Sequence, residues 1–372
     1  LCKPAPEMAL NPNRFFEFKD TFQEGEPVEM RIALENVGES NFDSVQVKTD
    51  YQINNVHSIV LTKTDSLRAE KFNILKLTAP YNASIGDNVL SIDANPFGPN
   101  FQAEQFHFNN LLQRKYYVTR DVINPLLDVT FDGVRIMNKE IVSSKPHIVI
   151  SLKDENRFQA LNDTAVLSLK IKTPDNSILP IYHNDPRLKF NPATIGSSRN
   201  MATMEFDPSF DVDGEYELQV SNRDIAGNRS GNKKSFDYNI AFNIVNKQTI
   251  TRLLNYPNPF TTRTQFIFSL TGNKIPEYIK IQILTISGKI VREITKEELG
   301  PLRIGMNKTQ FWWDGTDTYG DALANGVYLY RVVIRDQGKD VEQRQIFTSE
   351  KVTNDLIEKA FNSGYGKMVL VR

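Results

Sequence analysis

Cysteine is almost missing from this sequence: Cys2 is the single one in 372 residues. One thiol forms no internal disulfide and no cysteine metal cluster, and its proline-bordered setting reads as linker. Scarce cysteine suits the cytosol and many bacterial surfaces alike, so it assigns no compartment. An excess of one charge is missing as well. The 44 Lys+Arg against 45 Asp+Glu leave a net charge of -1, which removes the electrostatic case for nucleic acid or an anionic membrane surface. No apolar run approaches the roughly 20 residues that cross a bilayer as a helix. The four histidines, His57, His107, His147 and His183, are scattered and show no HExxH spacing, so strand and loop positions account for them better than zinc does. No GxSxG elbow and no glycine-rich phosphate loop occurs. These gaps lead us to expect no catalytic residues, no enzyme and no cofactor in this stretch.

What is present is β-sandwich patterning. The length exceeds one ordinary sandwich, so two or three domains are expected, and 40% hydrophobic residues suffice for real cores. The organising stretch is Trp312–Val332, WWDGTDTYGDALANGVYLYRV. It reads as two strands around a Gly/Asp turn, with Tyr328, Tyr330 and Val332 on one face and Val327, Leu329 and Arg331 on the other. One of Trp312 and Trp313 should face inward and the other outward.

In chain order, Val28, Met30, Ile32 and Leu34 share a face after a Glu24–Pro27 turn, and strands follow at Val45–Thr49, Ile59–Leu61, Phe72–Leu77 and from Gly86. Gln102–Phe108 alternates, and Tyr116–Val118 is a last short strand. Pro125 marks a boundary. Asp132-Gly133 is a hairpin turn signal. Ile148, Ile150 and Leu152 alternate with polar residues, Lys153–Asn156 reads as the loop after them, and strands follow at Ala165–Ile171, Leu188–Phe190 and Met201–Phe206. Asp213-Gly214-Glu215-Tyr216 has the spacing of a tyrosine corner, in which the hydroxyl bonds upstream backbone. Asp224–Asn228 is a loop and Phe236–Val245 a closing strand. Gln248–Leu254 reads as a linker strand, and the prolines of Tyr256–Phe260 favour an extended, polyproline-like segment. Strands then follow at Phe266–Leu270, Ile279–Ile283 and Ile290–Ile294. Gln337–Lys339 is a turn, Glu350–Phe361 has helical spacing, and Lys367–Val371 is a final strand. The expected fold is all-β: three consecutive Ig-like antiparallel β-sandwiches with a short helix near the C-terminus, over 1–122, 123–247 and 248–372.

Three phrases resemble known families. EGEPVEMRIALENVGESNFDSVQV resembles a CARDB-type module. The D-G-E-Y and D-x-A-G-N pair resembles a bacterial Ig-like domain. NYPNPF, SGKIVREI and WDGTDTYGDALANGVYLYRV resemble a FlgD-type Ig-like domain, and GYGKMVLVR resembles the last motif of C-terminal domains handled by the type IX secretion system of Bacteroidetes. The order of modules is similar to the C-terminal region of PorU-like, gingipain-type cysteine peptidases, proposed type IX sortases. The resemblance implies an upstream peptidase domain, since Cys2 lies outside any α/β pattern. The opening LCKPAP, without an initiator Met or a signal peptide, likewise reads as a fragment. It further implies a Gram-negative cell surface, protein partners in the secretion or outer-membrane machinery, and recognition residues at Gly326, Tyr328, Tyr330, Gly366, Lys367, Met368, Val369 and Arg372. The same positions also suit ordinary sandwich closure.

Two alternatives stay open. The acidic corners carry Asp207, Asp211 and Asp213, with Asp154 or Asp224 at the same end of that sandwich. Backbone turn chemistry explains them without a ligand, and Ca²⁺, which takes six to eight oxygens, is the other explanation. An array of sandwiches also suits a surface adhesin or a glycan-binding protein, with Trp312 and Trp313 as the sugar platform.

Overall fold

Strict alternation is visible in the burial of single strands: in the strand Gly214–Asn222 every second side chain from Tyr216 onward is buried. A chain written this way hides one face and shows the other, so its strands must pair into sheets that stack on each other. The computed structural model describes residues 6–53, 56–79, 83–194, 199–231, 236–336, 339–340 and 365–372.

The first eight strands are β1 Met8–Phe18, β2 Thr21–Gln23, β3 Glu29–Asn36, β4 Gln46–Ile53, β5 Val56–Lys63, β6 Phe72–Thr78, β7 Gly86–Ala94 and β8 Leu111–Thr119. They form a sheet β1-β3-β6 and a sheet β2-β8-β7-β4-β5. Between the two lies a core that includes Met30, Ile32, Leu34, Val47, Leu90 and Tyr116. Strands β9 Leu126–Phe131, β10 Glu140–Val142, β11 Ile148–Asp154, β12 Leu167–Lys172, β13 Ile178–Ile181, β14 Leu188–Asn191, β15 Asn200–Phe206, β16 Gly214–Asn222 and β17 Tyr238–Ile244 follow. They build the sheets β10-β17-β16-β12-β13 and β14-β15-β11-β9 around Ile148, Ile150, Leu152, Met204, Leu218 and Phe242. The remainder is β18 Ile250–Tyr256, β19 Gln265–Leu270, β20 Tyr278–Thr285, β21 Ile290–Ile294, the short helix α1 Lys296–Leu299, β22 Gly305–Lys308, β23 Gly326–Asp336, β24 Lys339–Asp340 and β25 Gly366–Leu370. Here β18-β19-β22 faces β21-β20-β23-β24, with β25 added to β23, across Phe266, Phe268, Ile281, Trp313 and Tyr330. The chain is therefore all-β, an array of three two-sheet sandwiches, each closed on its own hydrophobic core. Among the described strands pairing is antiparallel except for β2 with β8 and β10 with β17, and the isolated bridge between Phe260 and Leu370 is parallel as well.

Local chemistry explains the corners. Asp132 and Gly133 both have positive φ, 50° and 78°, as a two-residue hairpin turn requires. The Tyr216 hydroxyl donates to the Val212 carbonyl at 3.0 Å, the corner expected from its spacing. A second corner, unforeseen, has the Tyr328 hydroxyl on the Ala324 carbonyl at 2.7 Å.

Several expectations are corrected. Gln102–Phe108 is not a strand. Its backbone is held by side chains: Gln102 N donates to Asn95 Oδ1, and Gln105 N and Phe106 N to Glu7 Oε2. The chain then makes a 3₁₀ turn over Phe108–Asn110. Gln248–Leu254 is no linker, because β18 pairs along β19 as part of the third sandwich. Tyr256–Phe260 is not polyproline-like, since Tyr256-Pro257 and Asn258-Pro259 are both cis. The Trp strand reduces to one bridge between Trp313 and Thr264. Asp154 is the last residue of β11 rather than loop, and the segment Pro174–Pro208, whose sequence is loop-rich, holds the further strand β13. Cys2, the turn at Gln337-Gly338 and the helical spacing at Glu350–Phe361 lie outside the described residues.

Candidate functional site

Three segments singled out by sequence meet at one place. β25 pairs antiparallel with β23, Gly326 opposite Leu370 and Tyr330 opposite Gly366. The other edge of β25 is taken by the proline segment. Phe260 N donates to Val369 O and Val371 N to Phe260 O, both at 3.0 Å. The Asn258 amide bonds Lys367 O and Val369 N, again at 3.0 Å. Met368 and Leu370 are fully buried, and a Cβ on Gly366 would stand 2.2 Å from the Tyr330 ring. Burial pushes the Tyr330 phenol up to about 12. The terminus is tied as well: Arg372 N donates to Asn325 Oδ1 at 2.7 Å, and Arg372 Nη2 to Asp314 O at 2.6 Å. Asp314 is held below the usual carboxylate range, first by the Thr316 hydroxyl and in smaller part by Arg372. Tyr328, Tyr330, Gly366 and Met368 thus build the sandwich, while Lys367 and Arg372 are the exposed members of the set. Both long edges of β25 are occupied, so it offers no open strand edge to a partner.

Trp313 is fully buried and Trp312 is about one-third exposed, as alternation required. The Trp312 ring carries the Arg263 guanidinium at 4.7 Å, so this face is already stacked.

The acidic residues separate into two groups. Asp207 holds His147 at 2.7 Å, Asp211 accepts from Ser209, and Asp213 accepts from the Asn246 backbone and amide. Each is taken by a different partner. Asp154 and Asp224 are not at that end. Asp207 follows β15, whose Phe206 pairs with Ile148 at the start of β11, whereas Asp154 closes β11. Six residues of strand, about 20 Å, lie between. Asp213 and Asp224 likewise flank opposite ends of β16.

At its own end Asp154 meets residues sequence reasoning did not connect. Asp121, Asp154 and Glu155 place carboxylate oxygens within 4.8 Å of one another. Asp154 is 3% exposed, and among the described residues no N–H or hydroxyl donates to either of its oxygens. Burial above all, then Glu155, Asp121 and Asp224, push its carboxyl up to about 7. Asp121 comes from the segment joining the first two sandwiches. Its N–H donates to Glu24 Oε2, its Oδ1 accepts from Ile123 N, and its Oδ2 accepts from the Asn156 amide at 3.2 Å. Asn228, held by Asp224, donates to the Asp121 carbonyl at 3.2 Å. The cluster borders a cleft of about 180 Å³ lined also by Glu24, Arg120 and Asn156. One signal for it was in the sequence: the period that buries Ile148, Ile150 and Leu152 buries Asp154 next.

No family model and no curated protein matches the chain. Among solved structures, the CARDB domain of a Pyrococcus furiosus protein, determined in complex with di-metal ions, is 13% identical and covers 32% of this chain and 98% of that one, with a TM-score of 0.26. A mixed-linkage glucan utilization locus protein, SGBP-B of Bacteroides ovatus, solved with a mixed-linkage heptasaccharide, is 12% identical over 89% of this chain and 64% of that one, with a TM-score of 0.26. Dimeric latent PorU from Porphyromonas gingivalis is 13% identical over 99% of this chain, with a TM-score of 0.25, and the chain spans 34% of that protein's length. These superpositions are too loose to add to the architecture described above.

Proposed function

We propose that the chain is a non-catalytic row of three modules, 1–122, 123–247 and 248–372, that positions and docks an upstream domain at the surface of a Gram-negative bacterium. The observation that carries this reading is the division of the buried side chains into three cores in chain order, each between its own pair of sheets. Modules that close on their own cores hold fixed spacing when strung together, which suits a spacer. No helix among the described residues is long and apolar enough to cross a membrane. The phrases that resemble FlgD-type and type IX C-terminal domains make a PorU-like peptidase the best reading of the parent protein. The last module then carries the export signal. Because β25 is enclosed on both edges, that signal is read from exposed side chains, with Lys367 and Arg372 foremost, rather than by strand addition.

The test uses a reporter fused to the full chain in a bacterium with type IX secretion. The double variant K367A/R372A should leave thermal unfolding within a few degrees of the original and should keep the reporter off the cell surface. Normal surface display of a folded double variant would end the signal assignment.

A further inference from the structure

The spacer reading leaves one arrangement unused. Asp154 sits on the inward phase of β11 with both oxygens lacking donors, and a carboxylate buried that way is costly unless a counter-charge reaches it. Among the described residues, none of Asp121, Asp154, Glu155 and Asp224 is in an ion pair with a lysine or arginine, although Arg120 lines the same cleft. We propose that Asp121, Asp154 and Glu155 bind a hard divalent cation, Ca²⁺ in preference to Mg²⁺, that fastens the first sandwich to the second.

The donor set is all oxygen, which excludes a preference for softer metals. Calcium accepts six to eight oxygens in adaptable geometry, whereas magnesium needs a near-ideal octahedron. A site shared by a connecting segment and a strand end suits the first better. Neighbouring hydrogen bonds already aim the ligands: the Asn156 amide orients the Asp121 carboxylate, and Asp224 holds the Asn228 amide against the Asp121 carbonyl. Asp224, occupied by Asn228, adds negative charge behind the site rather than a free ligand. Asp121 is anchored to Glu24 of the first sandwich, while Asp154 and Glu155 belong to the second. A cation held by all three therefore resists bending at this junction.

The full chain, stripped with EDTA, is titrated with Ca²⁺ by calorimetry and followed by small-angle scattering. One binding event in the range of about 10⁻⁴ to 10⁻³ M, typical of extracellular modules, is expected, with a narrower distribution of molecular dimensions once filled. Glu155→Gln, at an exposed position where folding is safe, should weaken binding at least about tenfold, and Asp154→Asn should abolish it. Asp211→Asn should bind as the original does. No heat and no thermal shift at about 10 mM Ca²⁺ would overturn the site. So would unchanged binding in both Glu155→Gln and Asp154→Asn, and tighter Mg²⁺ binding would overturn the choice of calcium.

Discussion

The two junctions between sandwiches each bury a carboxylate, and they treat it in opposite ways. At the second junction Glu140 is 9% exposed and its Oε1 accepts from Arg303 Nη2 at 2.6 Å and from Met306 N at 3.3 Å. Its Oε2 accepts from Met137 N at 2.8 Å. A residue of the third sandwich thus completes a charge of the second. At the first junction Asp154 is as deeply buried, yet the charges that act on it are those of Glu155, Asp121 and Asp224. One interface is electrostatically closed by its own chain. The other gathers like charge, which costs stability unless something positive enters. The lesson is that a buried charge has to be read with its partners, since burial alone does not distinguish a clasp from an open site.

The sharpest way to break the comparison is at Glu140. Glu140→Ala strips Arg303 and two backbone N–H groups of their acceptor and should cost about 3 kcal/mol, the bottom of the range for broken buried pairs because the Arg303 side chain is 29% exposed. Both tryptophans lie in the third sandwich, so urea unfolding followed by their fluorescence reports on this junction. An unchanged midpoint would mean that the pair is ornamental. The glycines at the two junctions sharpen the contrast. Gly305, at φ 97°, would bring a Cβ to 2.4 Å from the Ile141 backbone carbonyl. Gly25, at φ 81°, would meet the Gln159 Cγ at 2.7 Å, the movable part of a flexible side chain. Gly305→Ala should therefore cost about 2 kcal/mol and Gly25→Ala about 1 kcal/mol, the latter being the left-handed strain alone. Equal losses of the two variants by differential scanning calorimetry would show that the second junction is no tighter than the first.

Much of the fold was legible because the side-chain period of a strand is local. Val28 through Leu34, Ile148 through Leu152 and the Tyr216 corner follow from spacing within one segment. What spacing missed depends on contacts across the chain. Gln102–Phe108 alternates like a strand, but Glu7 and Asn95 take its N–H groups first. The place of Gly366–Arg372 could be named from motif, whereas its enclosure by Asn258 and Phe260 could not, because more than a hundred residues intervene. The acidic centre failed for the same reason. Asp207, Asp211 and Asp213 are close in sequence, yet three different partners, His147, Ser209 and Asn246, take their carboxylates one by one, while Asp121 and Asp154 meet only where two sandwiches abut.

The change that carries the most information is a gain, because its sign differs between the junctions. Removing a carboxylate at the second junction destabilises, whereas Asp154→Asn in EDTA should stabilise the second sandwich by about 1–2 kcal/mol. The amide removes a buried charge that has no counter-charge among the described residues, and with it the desolvation cost of that charge. The amide still needs partners, and the nearby Glu155 and Asp121 carboxylates can accept from it, which limits the penalty it brings. Differential scanning calorimetry of the metal-free protein reads the effect, since no tryptophan lies in that sandwich. A loss of stability in EDTA would mean that the Asp154 carboxylate is already compensated within the chain, and the two junctions would then differ in geometry alone.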